Sequence, residues 1–237
     1  MNSNELEEII KEALENFYRR RIERLSKLRL KDTLRKKNPY LFRAIGVYKA
    51  DEIVEVILQA YMSSSDETIF GDAFFEPIAK RVSRGTVSPS EGVDIVIETE
   101  DLYKAISVKS GTSIFNASQS KRMDDEFKKL RSRTMKLHKQ FDAVLAHSYG
   151  HIGNARSTQY IYRRIAGQAF WEEITGDSEF YLKLCHMMKG LPSMHRITYE
   201  EERGKTVNRL TREFLQDFST PDGGIDWDSL LRFNSGK

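Results

Sequence analysis

The sequence predicts an α/β protein, with a mixed central sheet flanked by helices and an N-terminal helical extension. Three observations lead there. Up to Arg84 the apolar residues recur at helical spacing. Directly afterwards come two short runs rich in Val and Ile that alternate with period two. Beyond them a helical stretch is followed by two further strand candidates, an order that suits helices packed on a mixed sheet.

Taken in order, residues 3 to about 29 read as one long amphipathic helix, with Leu6, Ile9, Ile10, Ala13, Leu14 and Phe17 on its apolar face. Asn38-Pro39 breaks the pattern, and a second helix is expected through about Met62. Ser63, Ser64, Ser65 and Asp66 offer N-caps for a third helix that carries Phe70, Phe74, Phe75, Ile78 and Val82. Pro77 inside that helix implies a kink or a late start. The segment GTVSPSEG is turn-rich. It leads into VDIVIE, a short turn at TED, and LYKAISVK, which together read as a β-hairpin. Residues 117 to about 139 return to a polar, basic helix. FDAVLAH (141–147) and TQYIYRRI (158–165) are strand candidates, and WEEITGD ends a helix at Gly176. We expect residues 1–62 to be a helical region packed on the core, and 63–237 to be the core with C-terminal helices, the whole forming one compact domain.

Composition narrows the function classes. With 39% hydrophobic and 31% charged residues, the 237-residue chain reads as folded rather than disordered. No apolar run approaches the roughly 18 residues of a membrane span. The opening MNSNELEEII is acidic and amphipathic, unlike a signal peptide. A lone cysteine, Cys185, excludes an internal disulfide and a cysteine-rich zinc site. These points suggest a reducing, cytoplasmic setting. The net charge is only +3, but it is unevenly spread. Between Arg19 and Arg43, eleven Lys or Arg face only Glu23 and Asp32, a local charge of +9. Such a field favours polyanions through counterion release. The alternative is a solvated helix face balanced by Glu5, Glu7, Glu8, Glu12 and Glu15.

The hairpin carries the chemistry. Side chains alternate along a strand, so Asp94, Val96 and Glu98 share a face, as do Ser107 and Lys109. Pairing of the strands would bring a carboxylate and a lysine into one polar cleft. A carboxylate can hold a hard divalent cation. The cation can polarise a phosphoryl oxygen, and a lysine can stabilise the charge that develops there.

The segment GVDIVIETEDLYKAISVKSG resembles the PD-(D/E)XK nuclease core, in which an acidic residue on one strand is followed by a (D/E)XK motif on the next. The family commonly adds a glutamate from the preceding helix, and Glu76 in FFEPIAKRV matches it, with Glu67 in SSDETIFG as a second candidate. VKSG, followed by Asn116 and Gln119, is similar to type II restriction endonucleases and among them to the PmeII-like group, as are KNPYLFRA and SSSDETIFG. The likeness spans roughly residues 37 to 125.

It implies a Mg²⁺-dependent endonuclease (Mn²⁺ substituting) that hydrolyses phosphodiester bonds in double-stranded DNA, leaving 5′-phosphate and 3′-hydroxyl ends. It also implies a homodimer. Asp94 and Glu76 would bind the ion with the Val108 carbonyl, and Lys109 would orient or activate water. The alternatives are a repair or recombination nuclease of the same superfamily, or a non-catalytic DNA-binding protein on a degenerate nuclease fold.

Two positions depart from the pattern. Val93 stands where the superfamily's name has proline, and Ser107 stands at the (D/E) position. Serine is a poor ligand, so Ser107 is assigned at most a weak or water-mediated contact, and the site is one carboxylate short. Glu76 is favoured to supply it, with Glu67 and Glu98 as alternatives. For DNA contacts we single out Asn116, Gln119, Lys121, Arg122, His151 and Arg156; capping by Asn116 is the competing reading. His147 and His151 have the i, i+4 spacing of a helical zinc pair, but Gly150 and Gly153 favour a loop. Arg163 and Arg164 are left open.

Overall fold

The structure, a computed structural model, describes residues 2–83, 85–87, 92–112, 116–152 and 159–236. The chain folds as two compact units, residues 1–17 with 68–192 and residues 18–67 with 193–237. The boundary expected at residue 62 therefore falls inside a helix. Chain ends distant in sequence share one core in the second unit, and a linear reading cannot anticipate that.

The first unit is built on a five-stranded sheet in the order β1 (Thr86–Val87), β2 (Ile95–Glu98), β3 (Leu102–Lys109), β4 (Gln140–His147), β5 (Arg163–Ala166). The β1/β2 and β2/β3 pairs are antiparallel, and β3/β4 and β4/β5 are parallel. The mixed sheet and the hairpin are thus as expected. β5 starts later than expected because the Ile161 N–H donates to the buried carboxylate of Asp124, 2.8 Å away, rather than joining the ladder.

Helices cover both faces of the sheet. On one, Leu6, Ile10, Ala13 and Leu14 of α1 (Ser3–Ser26), Ile78 and Ala79 of α5 (Glu76–Val82), and Phe170 and Trp171 of α7 (Gln168–Thr175) meet Ile95, Ile106, Val108, Val144 and Ala146. On the other, Met123, Phe127 and Leu130 of α6 (Ala117–Thr134) meet Val96, Tyr103, Ala105, Ala143 and Leu145. Helix α7 ends where Gly176 adopts φ 76°, the left-handed conformation that glycine tolerates at a C-cap.

The second unit is helical. Leu25, Leu28, Leu30, Leu34, Phe42, Ile53, Val54, Ile57 and Leu58 share a core with Leu210, Phe214, Phe218 and Leu230. They come from the later part of α1, α2 (Leu30–Leu34), α3 (Pro39–Ala44), α4 (Ala50–Phe70), α9 (Leu191–Phe218) and α10 (Trp227–Ser235). Much of the basic segment is engaged here. Arg21 pairs bidentately with Asp66 and lies over the Tyr199 ring at 3.8 Å. Lys31 pairs with Asp217, and Arg43 packs over Trp227.

The expected break at Ser63–Asp66 is absent, and α4 runs through to Phe70. Asp66 is committed to Arg21 rather than to a cap. The disturbance comes later, as a π-helical turn at Gly71–Phe75 directly before α5. Pro77 explains it: lacking an N–H, proline cannot answer the carbonyl four residues back, and the extra backbone of a π-turn absorbs the mismatch. Among the described residues no helix is long and apolar enough to cross a membrane.

Candidate functional site

The strand register brings the hairpin residues together. Ile95 pairs with Ile106, so Asp94, one residue before β2, stands opposite Ser107. The Asp94 N–H donates to the Ile106 carbonyl at 2.9 Å, and the Val108 N–H donates to Asp94 Oδ2 at 2.7 Å. The carboxylate is therefore held against the strand that carries Lys109. Burial pushes the Asp94 carboxyl above its usual range. The Val108 hydrogen bond, Lys109 and Lys80 oppose that shift, whereas the charge of Glu76 adds to it. Asp94, Glu76, Lys80 and Lys109 thus form one electrostatic group.

Glu76 opens α5, immediately after the π-turn, and its Oε1 lies 2.5 Å from Lys80 Nζ. Lys80 is a member of the group that the sequence reading missed. Its signal was present, since Glu76 and Lys80 have the i, i+4 spacing of a helical ion pair. The π-turn sits against the end of β3: a Cβ on Gly71 would lie 3.1 Å from the Ser110 Cβ. Among the described residues Lys109 makes no ion pair within 4 Å, so its ammonium is uncommitted.

Ser107 is fully buried, and among the described residues its hydroxyl has no hydrogen-bond partner. Glu98 lies at the far end of β2, is exposed, and pairs with Lys139 at 2.7 Å, so it does not join the group. Glu67 is exposed on α4 and belongs to the second unit. Asn116 and Gln119 form a reciprocal capping box at the start of α6, each side-chain oxygen accepting the other's backbone N–H at 2.9 Å. Those oxygens are committed to the helix end, the capping role that competes with the DNA-contact reading. Lys121 and Arg122 are exposed on α6, His151 is exposed in the loop after β4, and Arg156 lies outside the described residues.

His147 is a second residue that the sequence reading underrated. It ends β4 as the in-register partner of Lys109 and is fully buried. Its Nδ1 is 2.7 Å from the Gly111 carbonyl, which can only accept, so the ring proton sits on Nδ1. Burial depresses the basicity of the ring. The Gly111 bond works the other way, and the charges of Arg164 and Lys109 depress it further. The ring is neutral, and His147 ends a strand rather than lying on a helix, so the helical i, i+4 zinc pair does not form. Around it the backbone is closely packed: a Cβ on Gly111 would fall 2.7 Å from the Tyr149 hydroxyl. At Gly167, where φ is 54°, it would fall 2.7 Å from the Gly150 carbonyl.

Residues 4–191 match the family model described as Type II restriction endonuclease EcoO109I. The chain belongs to the type II restriction endonuclease EcoO109I family. The matched span includes all five strands of the sheet, α5 and α6, and hence every member of the Asp94 group. No curated protein matches the chain. Within the EcoO109I family framework, the mixed sheet flanked by helices is a restriction-endonuclease-like fold.

Among the described residues no three His, Cys, Asp or Glu side chains gather in a way that could hold a metal ion. That excludes a zinc-type cage among them. It does not exclude Mg²⁺, which keeps several waters and is commonly held by one or two carboxylates. Asp94 and Glu76, whose charges act on each other, are the two carboxylates that could meet that smaller requirement.

Proposed function

We propose that the chain is a Mg²⁺-dependent, site-specific type II endonuclease of the PD-(D/E)XK superfamily, hydrolysing phosphodiester bonds in double-stranded DNA. The observation that carries this reading is the Asp94–Lys109 arrangement. A carboxylate is pinned to the β3 backbone, a charged partner stands on α5, and an uncommitted lysine stands one residue beyond Val108. Family membership points the same way.

In this reading Asp94 and Glu76 hold the ion, helped by the Val108 carbonyl, and Mn²⁺ can replace it. When bound, Mg²⁺ supplies Lewis-acid polarisation of the phosphoryl oxygen. Lys109 orients the attacking water and stabilises charge on the phosphate in the transition state. The buried Ser107 hydroxyl contributes at most a water-mediated contact. Lys80 holds Glu76 in place before the ion arrives. Two copies acting as a homodimer would cut both strands of a palindromic site.

The test is digestion of unmethylated phage DNA with Mg²⁺, with Mn²⁺, and with chelator. Discrete fragments that need the ion are expected from the wild type, and none from Asp94→Ala, Lys109→Ala or Glu76→Ala. A smear or structure-dependent nicking would favour a repair or recombination nuclease. Duplex binding with no cutting in either ion would mean a non-catalytic DNA-binding protein. A separate readout is thermal: Mg²⁺ at about 100 times its Kd should stabilise the wild type by about 2.7 kcal/mol, and Asp94→Ala far less.

A further inference from the structure

The two adjacent arginines at the start of β5 have opposite surroundings. Arg163 is consumed by the protein, paired with both Asp142 and Glu173. Arg164 is exposed and has no carboxylate partner among the described residues. Its Nη2 lies 3.2 Å from the Thr112 carbonyl, to which it donates, and 3.3 Å from His147 Nε2. Because the His147 proton is on Nδ1, Nε2 carries a lone pair and accepts from the guanidinium. One end of the fork is therefore fixed, while Nη1 and Nε make no hydrogen bond to described residues.

The neighbouring strands supply the second half of the argument. Lys109 and His147 are register partners, so a neutral buried ring stands between the ammonium of Lys109 and the guanidinium of Arg164. Neither cation has an ion pair within 4 Å among the described residues. The Lys109 charge is shared with Asp94, whereas the exposed Arg164 guanidinium has no carboxylate partner among the described residues, and a cation so placed favours an anion. A planar fork with donors to spare is the group best matched to a phosphate.

We propose that Arg164 binds a backbone phosphate of duplex DNA beside the Asp94–Lys109 group, and that His147 is the positioning residue that holds its guanidinium. This rests on the endonuclease reading above. His147 also ties the Gly111 carbonyl, so one side chain sets both Arg164 and the turn that follows Lys109.

The test is equilibrium binding of the full-length chain to a labelled duplex of mixed sequence, in chelator so that nothing is cut, from about 50 to about 300 mM KCl. Loss of one phosphate contact should lower the slope of log K against log salt by about 0.9, and weaken binding at intermediate salt about tenfold. Arg164→Ala should do both without shifting the melting temperature. Arg164→Lys should keep the slope but not the full affinity, because a point charge replaces the fork. His147→Asn can place an amide N–H near the Nδ1 position for Gly111, but its shorter side chain puts no acceptor at the Nε2 position that Arg164 uses. If His147 acts through Arg164, the double variant binds no worse than Arg164→Ala alone.

A wild-type slope in Arg164→Ala overturns the phosphate contact, and additive effects in the double variant overturn the positioning role of His147. Absence of any duplex binding by the wild type would instead overturn the endonuclease reading itself.

Discussion

Arg163→Ala separates structural from functional charge on β5. The Arg163 guanidinium donates from Nε to Asp142 Oδ1 at 2.9 Å, from Nη2 to Asp142 Oδ2 at 2.7 Å, and from Nη1 to Glu173 Oε2 at 2.8 Å. Lys104 reaches Glu173 at 2.7 Å, so β3, β4, β5 and α7 are joined by one cluster of two cations and two anions. All four side chains are only 16–22% exposed. Removing one partner of such a pair typically costs about 3–5 kcal/mol, because the charge left behind stays poorly solvated. Here Lys104 remains beside Glu173, so the low end, about 3 kcal/mol, applies.

At roughly 2–4 °C per kcal/mol for a chain of this size, the melting temperature should fall by about 6–12 °C, read by circular dichroism near neutral pH. The loss should be pH-dependent. Burial alone would raise the Glu173 carboxyl, but the hydrogen bonds from Arg163 and Lys104 outweigh it and bring it below its usual range. A carboxyl depressed in the folded state contributes stability above its unfolded value, and loses it as pH falls through the folded one. The gap between variant and wild type should therefore narrow in acid. A drop under about 2 °C, or an equal drop in Arg164→Ala, would refute the assignment of the two arginines to different roles.

Asp94→Asn should abolish cleavage while raising the melting temperature in the absence of divalent ions. Burial holds the Asp94 carboxyl above its unfolded value. Its ionised form thus costs stability at neutral pH, and that cost disappears as pH falls toward the unfolded value. A lower melting temperature for the variant at neutral pH would contradict this. Asn116→Ala should cost about 1 kcal/mol of stability through the lost cap, with site-specific cleavage of phage DNA retained. Loss of cleavage at unchanged stability would restore Asn116 as a DNA contact.

The hairpin was legible because it is local. Alternation over Ile95–Glu98 and Leu102–Lys109 follows from strand geometry, and the short connection leaves little freedom of register. That Asp94 shares a face with Glu98, and Ser107 with Lys109, followed from that alone; the observed register joined the two sets. Glu76 was legible only as a helix residue close in sequence to the hairpin. The π-turn directly before it, which packs Gly71 against Ser110, was not foreseen, because local preference placed the break at Ser63–Asp66 instead.

His147 and Arg164 were not legible in their roles. A buried histidine and one of two adjacent arginines acquire meaning only when parallel pairing puts β4 beside β3 and β5 beside β4. Parallel neighbours are joined by long crossovers, so no short-range pattern encodes which residues will meet.

The sequence by itself determined the α/β class, the β2–β3 hairpin and which residues share a face within each strand (Asp94 with Glu98, Ser107 with Lys109), because periodicity and short-range geometry govern all three. Only the tertiary structure decided the rest. It paired Glu98 with Lys139 at the far end of β2 and committed the side-chain oxygens of Asn116 and Gln119 to capping α6. It also added Lys80 and set a neutral His147 between Lys109 and Arg164. Those outcomes depend on burial and on charges brought together from distant segments, and such interactions exist only once the chain has closed on itself.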